Sequence, residues 1–507
     1  MVKAGRREWL ALGVLTLPVL LISVDMTVLG FALPYLSEDL APTGAQQLWI
    51  VDSYGFLLAG LLITMGTLGD RIGRRKLLLA GAAAFGIASI IAAFSTSAVM
   101  LIVARALLGI GGATLMPSTL SLIRTVFTDD RQRRIAIAAW AATFSGGMAL
   151  GPVLGGWLLE HFWWGSVFLI NVPVMVLLLA LGPFLLPEAR DPNPGRFDPL
   201  SAVLSLAAVL PVVYGIKKIA ESGPDLLGIG AILVGFAVGI RFLNRQRQLA
   251  DPMLDLDLFR DRRFSVSVGT NTLGVFALSS VFFLAPQYLQ LVLGMSPVTA
   301  ALWMLPATAA GVVSSLAAAR LAGRFPVPKL IGIGLLTAAA GFLALTQVGV
   351  ESGLAALVAG FVLVGAGVPL SEALTTDLAI STAPPRRAGA ASAISETGFE
   401  LGGALGVAVL GSVATAVYRS ELPWTAPAAA KDTLGGAVAT AQQLPPWQAA
   451  ELLGSAQQAF VHGIQVSAVL GAVLLAYTAV QAMVLLRTHR EGYRGRHEQR
   501  RPAGQTP

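Results

Sequence analysis

Glu396 and Glu400 stand four residues apart in the apolar run ISETGFELGGALGVAVLGS. On a helix that spacing puts both carboxylates on one face, with Cβ atoms about 5–6 Å apart. Two like charges so close in a low dielectric cannot both ionise cheaply, so at least one is expected to hold a proton near neutral pH until a cation arrives. Proton and cation then compete, and a hundredfold linkage between them needs only about 2.7 kcal/mol of coupling. Further ionisable residues interrupt other apolar runs. Asp25, in VDMTVLGFALP, lies roughly 16 residues, or about 24 Å, into the first run, and Asp52, in WIVDSYGF, opens the second at a comparable depth. Each reads either as a functional carboxylate or as one solvated or paired at an interface. Glu372 is a weaker candidate of the same kind, and Asp377 is expected at the membrane edge. Arg105 interrupts LIVARALLGIGGATLMP; a central arginine costs about 2.5–3.5 kcal/mol unless paired or hydrated, so an interior partner is implied. Tyr54, Phe144, Phe276, Phe283, Tyr288, Trp303 and Phe399 offer ring faces for an organic cation, although most such rings are simply packing.

Other chemistries find no residues. Zero cysteines exclude disulfides, thiolate metal sites and cysteine nucleophiles. His161, His462, His489 and His497 lack ligand spacing, and neither a Walker A loop nor a G-x-S-x-G elbow occurs. No catalytic residue, metal or cofactor is expected, and the driving force is expected to be a proton gradient.

The elements that must hold these groups follow from composition. Of 507 residues 55% are hydrophobic and only 12% charged, with a mean hydropathy of +0.73, so lipid is the main solvent. Apolar windows predict spans near 9–33, 46–68, 77–95, 98–122, 134–158, 163–186, 197–216, 226–243, 264–290, 297–320, 328–348, 353–376, 387–417 and 459–486. The fold class is therefore all-α, a polytopic membrane protein of fourteen helices. The first window is too long for a signal peptide, contains Asp25 and lacks a small-residue cleavage site, so it is expected to remain as a helix.

With both termini in the cytoplasm, the 35 Lys and Arg fall on the inner side apart from Lys217, Lys218, Arg419 and Lys431 outside and Arg105 within a span. The pI of 9.9 thus reports membrane topology, and nucleic acid is not an expected partner. A charged, proline-rich stretch at 187–199 and a mixed basic and acidic stretch at 241–263 divide the chain. The expected domains are a six-helix bundle over 1–190, two additional spans over 191–263, and a second six-helix bundle over 264–507 with an outer loop at 420–458 and a basic cytoplasmic tail at 487–507. The loop reads equally as an amphipathic hairpin with Trp424 and Trp447 at the interface or as a mobile linker. The basic turn Gly66–Lys76 has a weaker echo at Arg320–Lys329, at the matching place in the last six spans, which suggests a duplicated bundle with its site between the halves.

GTLGDRIGRRK joins the second and third spans, with Gly66, Asp70, Arg71, Gly73, Arg74 and Arg75 at the membrane edge. Its glycines and ion pairs suit a turn that locks or releases an inner gate, beyond what topology alone requires. It resembles the signature loop of the major facilitator superfamily almost position for position. SGGMALGPVLGGW places Gly147, Gly151, Gly155 and Gly156 at close-packing spacing around Pro152. This stretch is similar to the antiporter motif of that superfamily's drug:proton exchangers. FWWGSVFLINVPV is similar to the sixth-span entry of its fourteen-span exporters, the group of QacA, SmvA and LfrA.

The resemblance covers nearly the whole chain and implies two six-helix bundles plus two central spans. It implies that Arg105 takes part in proton transfer, with a structural hydrogen-bonding role as the alternative, and that Asp25, Glu396 and Glu400 serve cation recognition and protonation. The chain departs from the pattern at Gly30, Leu108, Gly165 and Ser395, the last replacing a carboxylate. The expected function is proton-coupled export of lipophilic cationic drugs, dyes and quaternary ammonium compounds by alternating access. Expected partners are those cations, protons and membrane lipids, in a functional monomer of the bacterial cytoplasmic membrane. A same-fold exporter of a metabolite, lipid or amino-acid derivative, or a non-transporting sensor or scaffold, are the alternatives.

Overall fold

The structure, a computed structural model, describes residues 4–190, 198–250, 252–384 and 387–486. The basic tail expected at 487–507 and most of the proline-rich stretch near 190 lie outside the described residues. Among these residues there is no β-strand. The helices are α1 (Arg6–Leu40), α2 (Gly44–Ile72), α3 (Arg74–Ala93), α4 (Ala98–Val126), α5 (Asp130–His161), α6 (Ser166–Leu169), α7 (Asn171–Leu185), α8 (Pro199–Ser222), α9 (Leu226–Gln248), α10 (Arg262–Gln287), α11 (Pro297–Ala322), α12 (Val327–Leu345), α13 (Leu354–Thr382), α14 (Ala388–Glu421), α15 (Ala428–Asp432), α16 (Leu434–Ala441) and α17 (Pro446–Leu485). Fourteen segments are long and apolar enough to cross a membrane, with α6 and α7 forming one interrupted span. Helices are the response to lipid, where every backbone N–H and C=O must find its partner within the chain. Leu226, Phe184, Val313 and Leu316 stay exposed on the outer ring, where lipid covers them.

Packing sorts the helices into two groups. Within the first, α1 packs on α4, α5 and α7, α2 on α4, and α3 on α4 and α7; within the second, α10 packs on α13, α14 and α17, α11 on α13, and α12 on α13 and α17. Close approach rests on small residues. A Cβ on Gly341 would lie 2.6 Å from the Gly360 carbonyl, so α12 and α13 meet backbone to backbone.

The groups meet through α2 against α14, α5 against α11 and α1 against α10. Gly44 lies against Thr415, Leu48 against Gly411 and Gly55 against Ala404, all toward the end opposite the basic loops. Amides join the groups at that end. Gln47 Nε2 donates to Gln287 Oε1 and to Ser37 Oγ, each at 3.3 Å, and Gln290 Nε2 donates to the Phe31 carbonyl at 3.2 Å. Gln290 sits in a π turn, Tyr288–Val292, that follows Pro286, whose missing N–H loosens the helical ladder there. Toward the basic end α2 and α14 part around a chamber of about 430 Å³.

The two additional spans form a hairpin, α8 on α9, and α8 lies against both α2 and α14. Its start is pinned at the basic end. Asp198 caps the helix by accepting from Ser201 N at 3.2 Å and receives Arg245 Nη2 of α9 at 3.0 Å. Burial works to raise the Asp198 carboxyl, and the bonds from Ser201 and Arg245 outweigh it, holding it below the usual carboxylate range.

Two expectations are corrected. Lys217 and Lys218 are not in an outer loop, because α8 continues to Ser222; the apolar window stopped at a charge that the fold buries. The final helix starts at Pro446 instead of 459, and the segment before it is docked helix rather than linker. It carries α15 and α16, which turn inward: Leu434, Gly435 and Ala437 are buried, and Gly435 rests on Ser37 of α1. Tyr418 donates to the Ala430 carbonyl at 2.7 Å, and Arg419 pairs with Asp432 at 2.9 Å. Trp424 and Trp447 remain exposed.

Candidate functional site

A central cavity of about 120 Å³ lies between the groups, walled by α1, α2, α4, α5, α10 and α14. Among the described residues four acidic or basic side chains line it: Asp25, Asp52, Arg105 and Glu400. Each is no more than 2% exposed. Arg105 Nη1 donates to Asp25 Oδ2 at 2.5 Å and its Nε to the Ile50 carbonyl at 3.1 Å, while Tyr54 presents its ring face 4.6 Å from the guanidinium. The interior partner demanded by a membrane-buried arginine is therefore Asp25, with a carbonyl and a ring completing its shell.

Asp52 is also paired, with a residue the sequence placed outside. Lys217 Nζ of α8 lies 2.8 Å from Asp52 Oδ2 and 3.9 Å from the centre of the Trp49 ring. Lys217 is itself fully buried. Glu400 is different: among the described residues no cation is paired with it, and its Oε1 is buried without a hydrogen-bond partner. Asp25 Oδ1 and both Asp52 oxygens likewise make no hydrogen bond among the described residues, Asp52 Oδ2 having only the ion pair. An unsatisfied carboxylate oxygen facing a small cavity is a place for a proton or a cation.

Glu396, one turn from Glu400, opens instead on the chamber at the basic end, which Asp70, Arg74 and Trp140 also line. The two glutamates are adjacent on one helix yet face successive compartments. Glu372 of α13 is half-buried and lines neither the cavity nor the chamber. Asp377 is exposed, as expected of a membrane-edge residue. Of the seven rings considered, Tyr54, Phe283 and Phe399 line the cavity, joined by Phe282, which spacing did not single out. Tyr288 is spent on the Gly349 carbonyl at 2.6 Å, Trp303 is 42% exposed on the outer ring, and Phe144 and Phe276 stay off the cavity wall.

The Major Facilitator Superfamily pattern matches residues 15–407. The chain belongs to the major facilitator superfamily. It is 48% identical over 487 residues to the multidrug efflux pump LfrA of Mycolicibacterium smegmatis, covering 95% of this chain and 97% of that protein. It is 36% identical to the methyl viologen resistance protein SmvA of Salmonella typhimurium, covering 92% and 96% of the two chains. A tetracenomycin C resistance and export protein of Streptomyces glaucescens is 32% identical, with 94% and 91% covered. Among solved structures, an inward-facing bacterial homologue of the human lysosomal transporter Spinster superposes with a TM-score of 0.65 at 18% identity, covering 96% of this chain and 100% of the other. This facilitator is thus a polytopic membrane transporter, not an enzyme.

The signature turn of this facilitator is held from one side only. Gly73, at φ 111°, breaks α2 from α3 in a conformation that suits glycine. Asp70 pairs with Arg74 at 2.5 Å; Arg75 N donates to Glu188 Oε1 at 3.1 Å, and its Nη1 to the Leu186 carbonyl at 3.1 Å. Arg71 is exposed, and Gly66 lines the open chamber beside Pro117. Among the described residues these bonds of the turn all stay within the first helix group, as suits a gate open at this end.

The glycine stripe of α5 faces two ways. Gly147 and Gly151 lie against Leu20, Ser23, Val24 and Thr27 of α1, and Gly155 against Val28. Gly156 turns to α11, where a Cβ would sit 2.9 Å from the Pro297 carbonyl, and Pro152 is buried between them. Nearby, Val298 N donates to Glu160 Oε1 at 3.2 Å. The stripe therefore carries both the α1 contact and one of the closed contacts between groups.

Proposed function

We propose that this chain is a proton-coupled exporter of small lipophilic cations, working by alternating access as a monomer in the bacterial cytoplasmic membrane with its basic end in the cytoplasm. The observation that carries the reading is Glu400, a buried carboxylate with no paired cation, on the wall of a ring-lined cavity beside the Asp25–Arg105 pair. The names of the relatives, multidrug efflux and methyl viologen resistance, support the same class of cargo.

In this reading a cation enters by the basic chamber, passes Glu396 and settles against Glu400 and the faces of Tyr54 and Phe399, displacing a proton. The groups rock, and the cavity opens at the opposite end. A proton arriving there neutralises Glu400 and releases the cargo; Asp25 relays it, since protonating Asp25 frees Arg105. Ethidium efflux from proteoliposomes under an imposed proton gradient tests this. Glu400→Gln and Asp25→Asn are each expected to lower proton-driven efflux at least about tenfold while the protein is present at wild-type amount. Undiminished efflux in both rejects the assignments.

A further inference from the structure

The Asp52–Lys217 pair is unused by the exchange just described, and it has the form of an occupied ammonium site. Lys217 Nζ forms an ion pair 2.8 Å from a carboxylate oxygen of Asp52 and lies 3.9 Å from the centre of the Trp49 ring face, with no hydrogen bond to a third group among the described residues. Carboxylate plus aromatic face is the chemistry that recognises an alkylammonium cargo. Here the ammonium is tethered to the protein.

Position gives the tether its meaning. Asp52 lines the central cavity and leaves Oδ1 without a partner, whereas Lys217 is not among the cavity-lining residues and approaches from α8, behind the wall. Asp25 has Arg105 in the same way. Each aspartate on the wall therefore has its own cation, and among the described residues Glu400 is the one cavity carboxylate without one, free to exchange its proton for a single positive charge. A cargo with one positive centre balances it. A cargo with two would bring a charge into a low-dielectric space with no free carboxylate to meet it.

We propose that Lys217 is a specificity-determining residue: it fills the second ammonium position beside the cavity and so restricts this transporter to singly charged cations. One of the two additional spans thereby acts on the cargo directly. The inference rests on the cation-export reading and goes beyond it.

The test compares export of ethidium, a monocation, with methyl viologen, a dication, in proteoliposomes under one proton gradient. Wild type is expected to favour ethidium. Lys217→Ala frees Asp52 and is expected to shift the ratio toward methyl viologen by at least about tenfold. Asp52→Asn combined with Lys217→Met removes both charges together and returns the ratio to the wild-type side, which a merely structural pair would not do. An unchanged ratio in Lys217→Ala with ethidium still exported, or a double variant that keeps the dication preference, overturns the inference and leaves cation export standing. If Lys217→Ala does not fold, wild type and the double variant decide: methyl viologen handled as well as ethidium by either overturns the inference. Export of neither cation by wild type overturns the export reading and this inference with it.

Discussion

At the scale of single residues, what governs this protein is which buried charges have partners. Removing one member of a buried pair strands the other, at about 3–5 kcal/mol, whereas a paired charge is nearly neutral in its effect on stability. Arg105→Met is therefore expected to lower the thermal midpoint in detergent by several degrees, and pairing it with Asp25→Asn to recover most of that loss; a double variant as unstable as the single one contradicts the pair. The acidic spacing at Glu396 and Glu400 was legible in the sequence because four residues is a helical contact. That the two open on different compartments was not, since it depends on where α2 parts from α14. Lys217 was misplaced because its partner is 165 positions away and hydropathy counts a charge as an end.

At the scale of elements, the closed end is held by uncharged contacts: amides of Gln47, Gln287 and Gln290, and the backbone approach of Gly156 to α11. Gly156→Val puts two methyl groups into that approach and is expected to favour the state open at this end, read as faster labelling of a single cysteine at position 47. Since the chain contains no native cysteine, the background is clean; slower labelling contradicts the assignment. The docked segment around α15 and α16 should respond to pH. Burial, ahead of the opposing pull of Arg419, raises the Asp432 carboxyl, so the docked form binds a proton more tightly than the free loop. Docking is then strengthened as pH falls through the raised value toward about 3.9 and weakened above it. Hydrogen exchange over residues 422–445, corrected for intrinsic rate, is expected to slow between pH 7 and pH 4.5, and acceleration contradicts the sign. The spans themselves were readable from hydropathy, but α1, α8 and α13 run past their windows to Leu40, Ser222 and Thr382, and Gln448, Glu451 and Gln457 hide the start of α17. That helix has 40 residues, about 60 Å at 1.5 Å each, so its polar first turns project beyond a core of about 30 Å.

At the scale of the whole molecule, two helix groups touch at one end and part at the other, with a small charged cavity where they meet and α8 wedged beside α2 and α14. Such an arrangement has two ways to be closed, and cargo and proton must choose between them through one site. Spin labels on the basic ends of α4 and α14, at positions 124 and 390, are expected to come closer by several ångströms when ethidium binds and displaces the proton from the cavity acid. An unchanged distance argues against coupling between that acid and the gate. The most direct measurement is proton release from purified protein in weakly buffered detergent during titration with ethidium. The account predicts a stoichiometric release that saturates with binding and is lost in Glu400→Gln. Ethidium binding with no proton released by the wild-type protein, or release undiminished in Glu400→Gln, contradicts it.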